Sequence, residues 1–501
     1  MNSTDLIVFF VYMIGVTLFG VSFYRKNKSS SAFTLGDHNI PGWVVGMSIF
    51  ATYISSISFL ALPGNAFQGN WNAFVFSLSI PVAAIMAVKF FVPLYRKINS
   101  PSAYTFLEKR YGIWARVYVS TFYLLTQLMR IGTILYLLAL TINAVFGWDI
   151  TVVIIITGIV VMLYSMLGGI QAVVWTDAIQ GIILIGGALA CALYILFNMP
   201  DGPSQLFAIA AKHNKFSLGS FAFNLSEQTF WVVLVYGIFI NLQNYGIDQN
   251  YVQRYIIAKT DREAKRSVFW GGMLYVPVSF LFLFIGTALF AFYNSSAGSL
   301  PVELLALNKS DRVFPYFIVH ELPAGLTGLL ISSVFAAGMS TISTSYNSAA
   351  TVLLTDYYQR FTKQNTSEKE AMKVLYISSV IISLMGILIA IIMIDVKSAL
   401  DTWWKLASIF SGGMLGLFLL GAFTTSKRST GAVIGVITGV LIILWMTLSP
   451  YISKDIIGSG FHNYLTIVFG TTAIFLVGFL FTLIGNKGKN IFNNTIFSNE
   501  D

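Results

Sequence analysis

Ser340, Ser343, Thr344, Asn347 and Ser348 recur at i, i+3, i+4, i+7 and i+8, with Thr341 and Ser345 beside them. On a helix that spacing puts the five on one face. They lie within a long apolar run, residues 324–358, so the stripe must face protein or water rather than lipid. So many hydroxyl and amide oxygens on one line suit a hard cation such as sodium, which prefers oxygen ligands as calcium does. The same residue types also bond helices to one another.

A second polar stretch is Phe50-Ala-Thr-Tyr-Ile-Ser-Ser-Ile-Ser-Phe-Leu-Ala-Leu-Pro63, inside the apolar run 44–67. Thr52, Tyr53, Ser55, Ser56 and Ser58 fall at its middle, with Pro63 and Gly64 close behind. Backbone can unwind at that depth only where it is buried in protein or lines a wet cavity. We therefore expect a broken helix whose freed carbonyls and hydroxyls bind a ligand; the alternative is a helix whose Ser and Thr bond back to the preceding turn.

Two charges sit where charges are costly. Asp177 lies about one turn inside its apolar run, and an intramembrane carboxylate is by default functional. A snorkelling Asp at the interface would look the same. Arg130 falls near the middle of residues 117–146, with no acidic residue within a turn on its own helix. A guanidinium fork suits a carboxylate, which would be either that of an anionic substrate or a protein partner, Asp177 or Asp248.

The elements that must position these residues are membrane spans. The chain has 501 residues, 56% hydrophobic and 10% charged, against roughly 25% charged in soluble domains. Thirteen apolar runs are expected to cross the bilayer: 5–24, 42–66, 73–95, 117–146, 150–168, 173–197, 229–257, 267–293, 324–358, 373–394, 401–424, 431–451 and 463–485. The runs do not alternate every second residue, which excludes a β-barrel. Of the 30 Lys and Arg, 20 fall in the loops of one side, the tail included, and 6 in those of the other. That bias puts the N-terminus outside and the C-terminus inside. Net charge is +9, carried by loops, and is read as topology signal, not nucleic-acid binding. The charge runs Glu108-Lys-Arg110 and Asp261–Arg266 are expected to be solvated faces. A short surface helix is expected within 294–323, as a solvated cap. The single cysteine, Cys191, allows no intramolecular disulfide, and the first run reads as a permanent helix with no removable signal peptide.

Run 229–257 carries Asn241-Leu-Gln-Asn-Tyr-Gly246 at its middle, where amides followed by glycine weaken a helix. Runs two and seven are thus both interrupted, an odd offset that inverts topology. Interruptions at matching places in inverted halves point to a transporter site.

At these residues the chain resembles the sodium:solute symporter family. The matching segments are Gly168-Gly-Ile-Gln-Ala-Val-Val-Trp-Thr-Asp-Ala-Ile-Gln180, Asp248-Gln-Asn-Tyr-Val-Gln-Arg-Tyr255 with Ala258-Lys259, and Phe335–Ser348. Within the family it looks most like the bacterial sialic acid:sodium symporters, through Phe50-Ala-Thr-x-x-Ser-Ser-Ile-Ser-Phe59 and Met129-Arg-Ile131.

The resemblance implies an all-α membrane protein with a LeuT-like inverted five-helix repeat, read as one transporter domain over 1–501. Its parts would be a leading helix and loop, 1–41, repeats over 42–197 and 229–424, two trailing helices over 431–485, and a cytoplasmic tail, 486–501. It implies a first sodium held by the backbone oxygens of Ala51, Ile54 and Ala337 and the hydroxyls of Ser340 and Thr341. A second would use Asp177, Ser340, Ser343 and Thr344. Arg130 would hold the sialate carboxylate, with Ser55, Ser56, Ser58, Ser77 and Gln243 lining the pocket. The chain departs from that branch at Ser77 and Ala73, where a long amide and an aromatic would be expected.

The expected function is sodium-coupled import of an organic anion, foremost a sialic acid, by a monomer in a bacterial cytoplasmic membrane. The alternative solute is another carboxylate or sugar. A channel would need a continuous polar pore, and a sensor an appended signalling domain. His38, His213, His320 and His462 all fall in predicted loops and offer no catalytic set in the membrane, so an enzyme is not expected.

Overall fold

The computed structural model describes residues 3–304, 310–395, 399–424, 429–452 and 459–485, and these are helical with no strand among them. The chain opens with α1 (Ser3–Ser22) and the short α2 (Ser30–Leu35). The first polar stretch then separates α3 (Gly42–Tyr53) from α4 (Ser56–Gln68). Next come α5 (Phe74–Leu78), α6 (Ile80–Met86), α7 (Val92–Ile98) and α8 (Thr105–Tyr111). The long α9 (Ile113–Phe146) and α10 (Ile150–Phe197) follow, then α11 (Pro203–Lys212). The second interruption separates α12 (Phe230–Ile247) from α13 (Gln249–Ile257). The remainder is α14 (Asp261–Tyr293), α15 (Val313–His320), α16 (Leu326–Val352), α17 (Glu368–Ile392), α18 (Ala399–Phe423), α19 (Ser429–Ile452) and α20 (Leu465–Gly485).

Among the described residues ten helices are long and apolar enough to cross a membrane, or eleven when α3 and α4 are taken as one bent span. The 48 residues of α10 would extend about 72 Å, more than twice the roughly 30 Å hydrocarbon core. Gly169, at φ +58°, breaks it into the two arms expected from residues 150–168 and 173–197. A side chain there would meet Asn27 and the backbone of Phe33, so glycine is required for space as well as for φ. Asn27 occupies the corner, donating to the Leu167 carbonyl at 2.9 Å. The run expected over 73–95 is divided among α5, α6 and α7, with a π-helical turn at Ala87–Phe91 between the last two.

The two interruptions differ in how closely they match expectation. The first lies within the predicted stretch: Ile54 and Ser55 are extended (φ/ψ −98/120° and −113/171°), and the two halves are bent by 52°. The second is not at Asn241–Gly246. Helix α12 runs through the amides and the glycine and stops only at Asp248, whose side chain accepts from the Asn250 N–H at 2.8 Å and starts α13. A residue that caps a new helix thus marked the break better than residues that merely weaken the old one.

Helix α16 is the centre of the molecule. Every residue from Leu330 to Val352 is buried, and it packs most extensively against α10. Its N-terminal end is held by Asp5 of α1, whose Oδ1 accepts from the Gly325 and Gly328 N–H groups at 2.7 and 3.0 Å. The far end of α4 is held by Lys215, whose Nζ donates to the carbonyls of Phe67 and Gly69 at 2.6 and 3.0 Å and lies 3.8 Å from the Phe290 ring centroid. Burial pushes this lysine down to about 8.

The charge run at Glu108 is not a solvated face. Glu108 pairs with Arg116 at 2.6 Å and Arg360 at 2.7 Å, and Arg116 pairs with the fully buried Asp356 at 2.5 Å. Burial works against the Glu108 charge, but the two guanidiniums prevail and hold it below the usual carboxylate range. Asp261 of the other run pairs with Arg96, while Arg262, Lys265 and Arg266 remain on the surface. The expected surface helix in 294–323 is present as α15, packed on α4 and α16.

Candidate functional site

The break in the first span leaves the Ile54 carbonyl without a helical partner, and α16 comes up to it. The Thr341 hydroxyl lies 3.4 Å from the Ile54 carbonyl and 3.1 Å from that of Ala337. Three of the five oxygens expected around a first cation therefore converge. Ala51 is buried on the last turn of α3. Ser340 stands beside the group but turns its hydroxyl to the Asp177 Oδ1 at 2.7 Å.

Asp177, on the second arm of α10, is fully buried. Its Oδ2 accepts from Ser48 of α3 at 2.5 Å and, at the longer 3.5 Å, from Thr344 of α16. Asp177, Ser340 and Thr344 thus meet as expected of a second cation site. Ser343 does not join them through its hydroxyl, which folds back onto the Ser340 carbonyl at 3.1 Å. In a helix interior that local bond competes well with a longer reach.

A cationic group already serves Asp177. The Arg254 Nη2 donates to Asp177 at 2.8 Å and to Thr344 at 2.7 Å, its Nε to Ser48 at 2.7 Å, and its Nη1 to the Asn250 carbonyl at 2.5 Å. Both charged side chains are fully buried. Asp177 is therefore neither a snorkelling residue nor the partner of Arg130. The argument applied to Arg130, a guanidinium inside a span in need of a carboxylate, applies equally to Arg254 and would have found it.

Arg130 is half-buried on α9. Of the pocket candidates, Ser55 and Ser58 are partly exposed at the first break. Ser56 is fully buried, and its hydroxyl has no hydrogen-bond partner. Gln243 is 5% exposed and its Oε1 is likewise unpartnered, while Ser77 is buried on α5, which packs against α12. Ser55, the residue before α4, makes no side-chain cap, which leaves the first N–H groups of α4 available to an anion.

Aromatic rings join the two breaks. The Tyr53 ring centroid lies 5.7, 5.0 and 5.4 Å from those of Tyr245, Tyr251 and Tyr275. The sequence showed Tyr53 as one more hydroxyl, but nothing in it paired that ring with α12, α13 and α14.

The lower half of the polar stripe does something else. Asn347 and Ser348 bond Gln253 of α13 at 3.1 and 2.9 Å. Beside the stripe, Ser345 donates to Gln127 at 2.8 Å, and Gln127 also accepts from Asn250 of α13 at 3.2 Å. These oxygens bind helices to one another.

Comparison with known proteins identifies the family and the fold. The sequence profile of the sodium:solute symporter family matches residues 33–439. The sodium/sialic acid symporter SiaT of Proteus mirabilis is 32% identical over 441 residues, covering 87% of this chain and 88% of its own. The sodium/sialic acid symporter NanT of Aliivibrio fischeri is 30% identical over 483 residues, covering 96% and 93%. Among solved structures, a sodium-coupled sialic acid symporter in a substrate-bound, outward-open state superposes with a TM-score of 0.88 at 29% identity, covering 98% of this chain and 99% of that one.

Proposed function

The chain belongs to the sodium:solute symporter family, and from that premise we propose that it imports a sialic acid together with two sodium ions. The members it resembles are transporters and not enzymes. The observation that carries the reading is the meeting of the Ile54 and Ala337 carbonyls with the Thr341 hydroxyl at a helix break. Freed carbonyls of discontinuous helices are the usual ligands of coupling ions in such folds.

In this reading the first sodium takes the backbone oxygens of Ala51, Ile54 and Ala337 with Ser340 and Thr341. The substrate carboxylate lies against Arg130, whose fork can bind it through both oxygens. Ser55, Ser56, Ser58, Ser77 and Gln243 receive the sugar hydroxyls; the unpartnered Ser56 Oγ and Gln243 Oε1 support this, since buried polar atoms are seldom left unsatisfied. The second sodium takes Asp177, Ser340, Ser343 and Thr344, which requires Ser343 to release the Ser340 carbonyl and Arg254 to release Asp177. The transporter works as a single chain in a bacterial cytoplasmic membrane, N-terminus outside.

Energetics favour two ions. Importing a monoanion against an inside-negative potential costs about 2.3 kcal/mol per 100 mV. One sodium cancels that cost and adds only its concentration term, about 1.4 kcal/mol for a tenfold ratio. A second sodium adds roughly 3.7 kcal/mol, raising the accumulation limit several hundred-fold.

The test is radiolabelled sialate uptake into proteoliposomes, with the reversal potential measured while sodium and sialate gradients are varied separately. Sodium-dependent uptake with an inward positive current is expected. Uptake without sodium dependence would reject the symporter reading, and electroneutral uptake would reject the second ion. A panel of short monocarboxylates in the same vesicles identifies the substrate; their uptake in place of sialate would reassign it.

A further inference from the structure

Helix α1 buries a narrow stripe, Asp5, Phe9, Tyr12, Val16 and Gly20, against the rest of the protein. To one side of that stripe lies a cavity of about 370 Å³, walled by α1, the first arm of α10 and the end of α9. Its floor is Phe335 of α16, packed edge-on against Phe9 at 5.1 Å between centroids. The mouth is formed by Phe10, Ile14, Trp148 and Ile156, all exposed. We propose that this crevice holds one acyl chain of a phospholipid from the outer leaflet.

The occupant follows from three features. Apart from Trp148, the only polar side chains among the lining residues are Thr17 and Thr157, and the Thr17 hydroxyl is spent on the Met13 carbonyl at 2.7 Å. A sugar or an anion would lose its hydrogen bonds there, at roughly 2–7 kcal/mol for each unpaired group, whereas a hydrocarbon loses none.

The length also fits. The α1 wall runs from Phe9 to Leu18 and the α10 wall from Val152 to Val160, about 14 and 12 Å at the helical rise. Half of a roughly 30 Å hydrocarbon core is about 15 Å.

The position fits too. Trp148 caps the outer end, stacked on Phe146 at 5.0 Å and near Phe10 at 6.3 Å, as interfacial aromatics do at headgroup level. The walls and the floor together enclose a chain on more sides than the open lipid-facing surface can. The bound chain lies against Phe335, five residues before Ser340 on the same helix, and braces the middle of α1, Phe9 to Leu18.

The test places the full chain in nanodiscs of a phosphatidylcholine with brominated acyl chains and locates bromine by cryo-electron microscopy. Bromine density inside the crevice, stronger than around the rest of the protein, is expected. Thr17→Phe and, separately, Val160→Phe fill the crevice from opposite walls. Each should remove that density, leave the surrounding bromine unchanged and lower by one the lipids retained in native mass spectrometry. Sialate uptake by both variants serves as the folding control. An empty or water-filled crevice, bromine no stronger there than elsewhere, or density that persists in both filled variants would overturn the proposal.

Discussion

Replacing Arg254 with methionine keeps length and apolar bulk and removes the charge. The guanidinium occupies Asp177 Oδ2 and the Thr344 hydroxyl, two of the ligands assigned to the second sodium. One carboxylate is not neutralised twice, so the ion and the arginine should compete. To admit sodium, Arg254 must give up a charge-assisted hydrogen bond, about 1.5–3 kcal/mol, and a bond to a hydroxyl, about 1 kcal/mol. The sum, about 2.5–4 kcal/mol, lowers the apparent sodium affinity of the native protein roughly sixty- to several-hundred-fold. In Arg254→Met that handicap is gone, but without sodium a fully buried Asp177 stands alone, which costs about 3–5 kcal/mol. The variant should therefore melt earlier than the native chain in sodium-free buffer and be rescued at sodium concentrations at least about tenfold lower. Sodium titrations of thermal unfolding measure both. Asp177→Asn combined with Arg254→Met removes both charges and should recover sodium-free stability while losing the sensitive response. An unchanged sodium midpoint in Arg254→Met would show that the arginine does not compete. A response lost altogether would show that it organises the site rather than blocks it. Either result refutes the reasoning.

Arg130→Lys keeps the charge but loses the planar fork, so sialate uptake should fall at least about tenfold at low substrate; near-normal uptake by Arg130→Ala would remove the residue from the site. Thr341→Ala deletes one of the three converging oxygens, and its sodium activation curve should move to several-fold higher sodium, whereas an unchanged curve would leave the hydroxyl a helix contact. Ser55→Ala and Ser58→Ala should reorder the preference among sialic acid variants, read by competition for uptake, with the sodium dependence unmoved. Lys215 has a depressed pKa of about 8, so above that pH the unfolded chain holds the extra proton and folding gains from rising pH. The melting temperature of the native chain relative to Lys215→Met should climb between about pH 8 and 10, and a parallel pair of profiles would mean the lysine is not perturbed.

Much of the fold was legible because hydropathy and buried hydroxyls leave strong marks. The break at Ile54 and Ser55 showed itself as polar residues where lipid would be expected, and Gly169 divides α10 between the two runs read from apolar length alone. The second break was misplaced because helix weakness at Asn241–Gly246 was weighed above the capping power of Asp248. The candidate ion site was legible only residue by residue. The meeting of Asp177, Ser340 and Thr344 was expected, but Arg254 and Ser48 reach Asp177 from elements 77 and 129 residues away in sequence. No spacing rule on one helix reveals such a partner; only the rule that every buried charge has one does. Glu108 was misjudged for the converse reason: its partner Arg360 comes from a segment that sequence could not bring to it, and its nearby partner Arg116 is itself held by the buried Asp356.

Arg254 also shows how an ion could act on the C-terminal half of the second broken span. Asn250, Gln253 and Arg254 stand at i, i+3 and i+4 on α13, and all are fully buried. Asn250 bonds Tyr123 and Gln127 of α9, Gln253 bonds Asn347 and Ser348 of α16, and Arg254 bonds Asp177 of α10. With the bonds of Arg254 to Ser48 of α3 and of Gln253 to the Thr34 carbonyl of α2, this face is held by directional polar contacts to five other helices rather than by apolar packing. Such contacts are strong when closed yet can be exchanged for water at a net cost of only about 0.5–1.5 kcal/mol each. A sodium that takes Asp177 from Arg254 removes the one charged member of the set and biases α13 by the same roughly 2.5–4 kcal/mol that the competition costs the ion. By linkage, whatever frees α13 must tighten sodium binding by an equal factor. The measurement on Arg254→Met is therefore also a measurement of coupling: the gain in apparent sodium affinity equals the energy with which the native arginine holds α13 to Asp177.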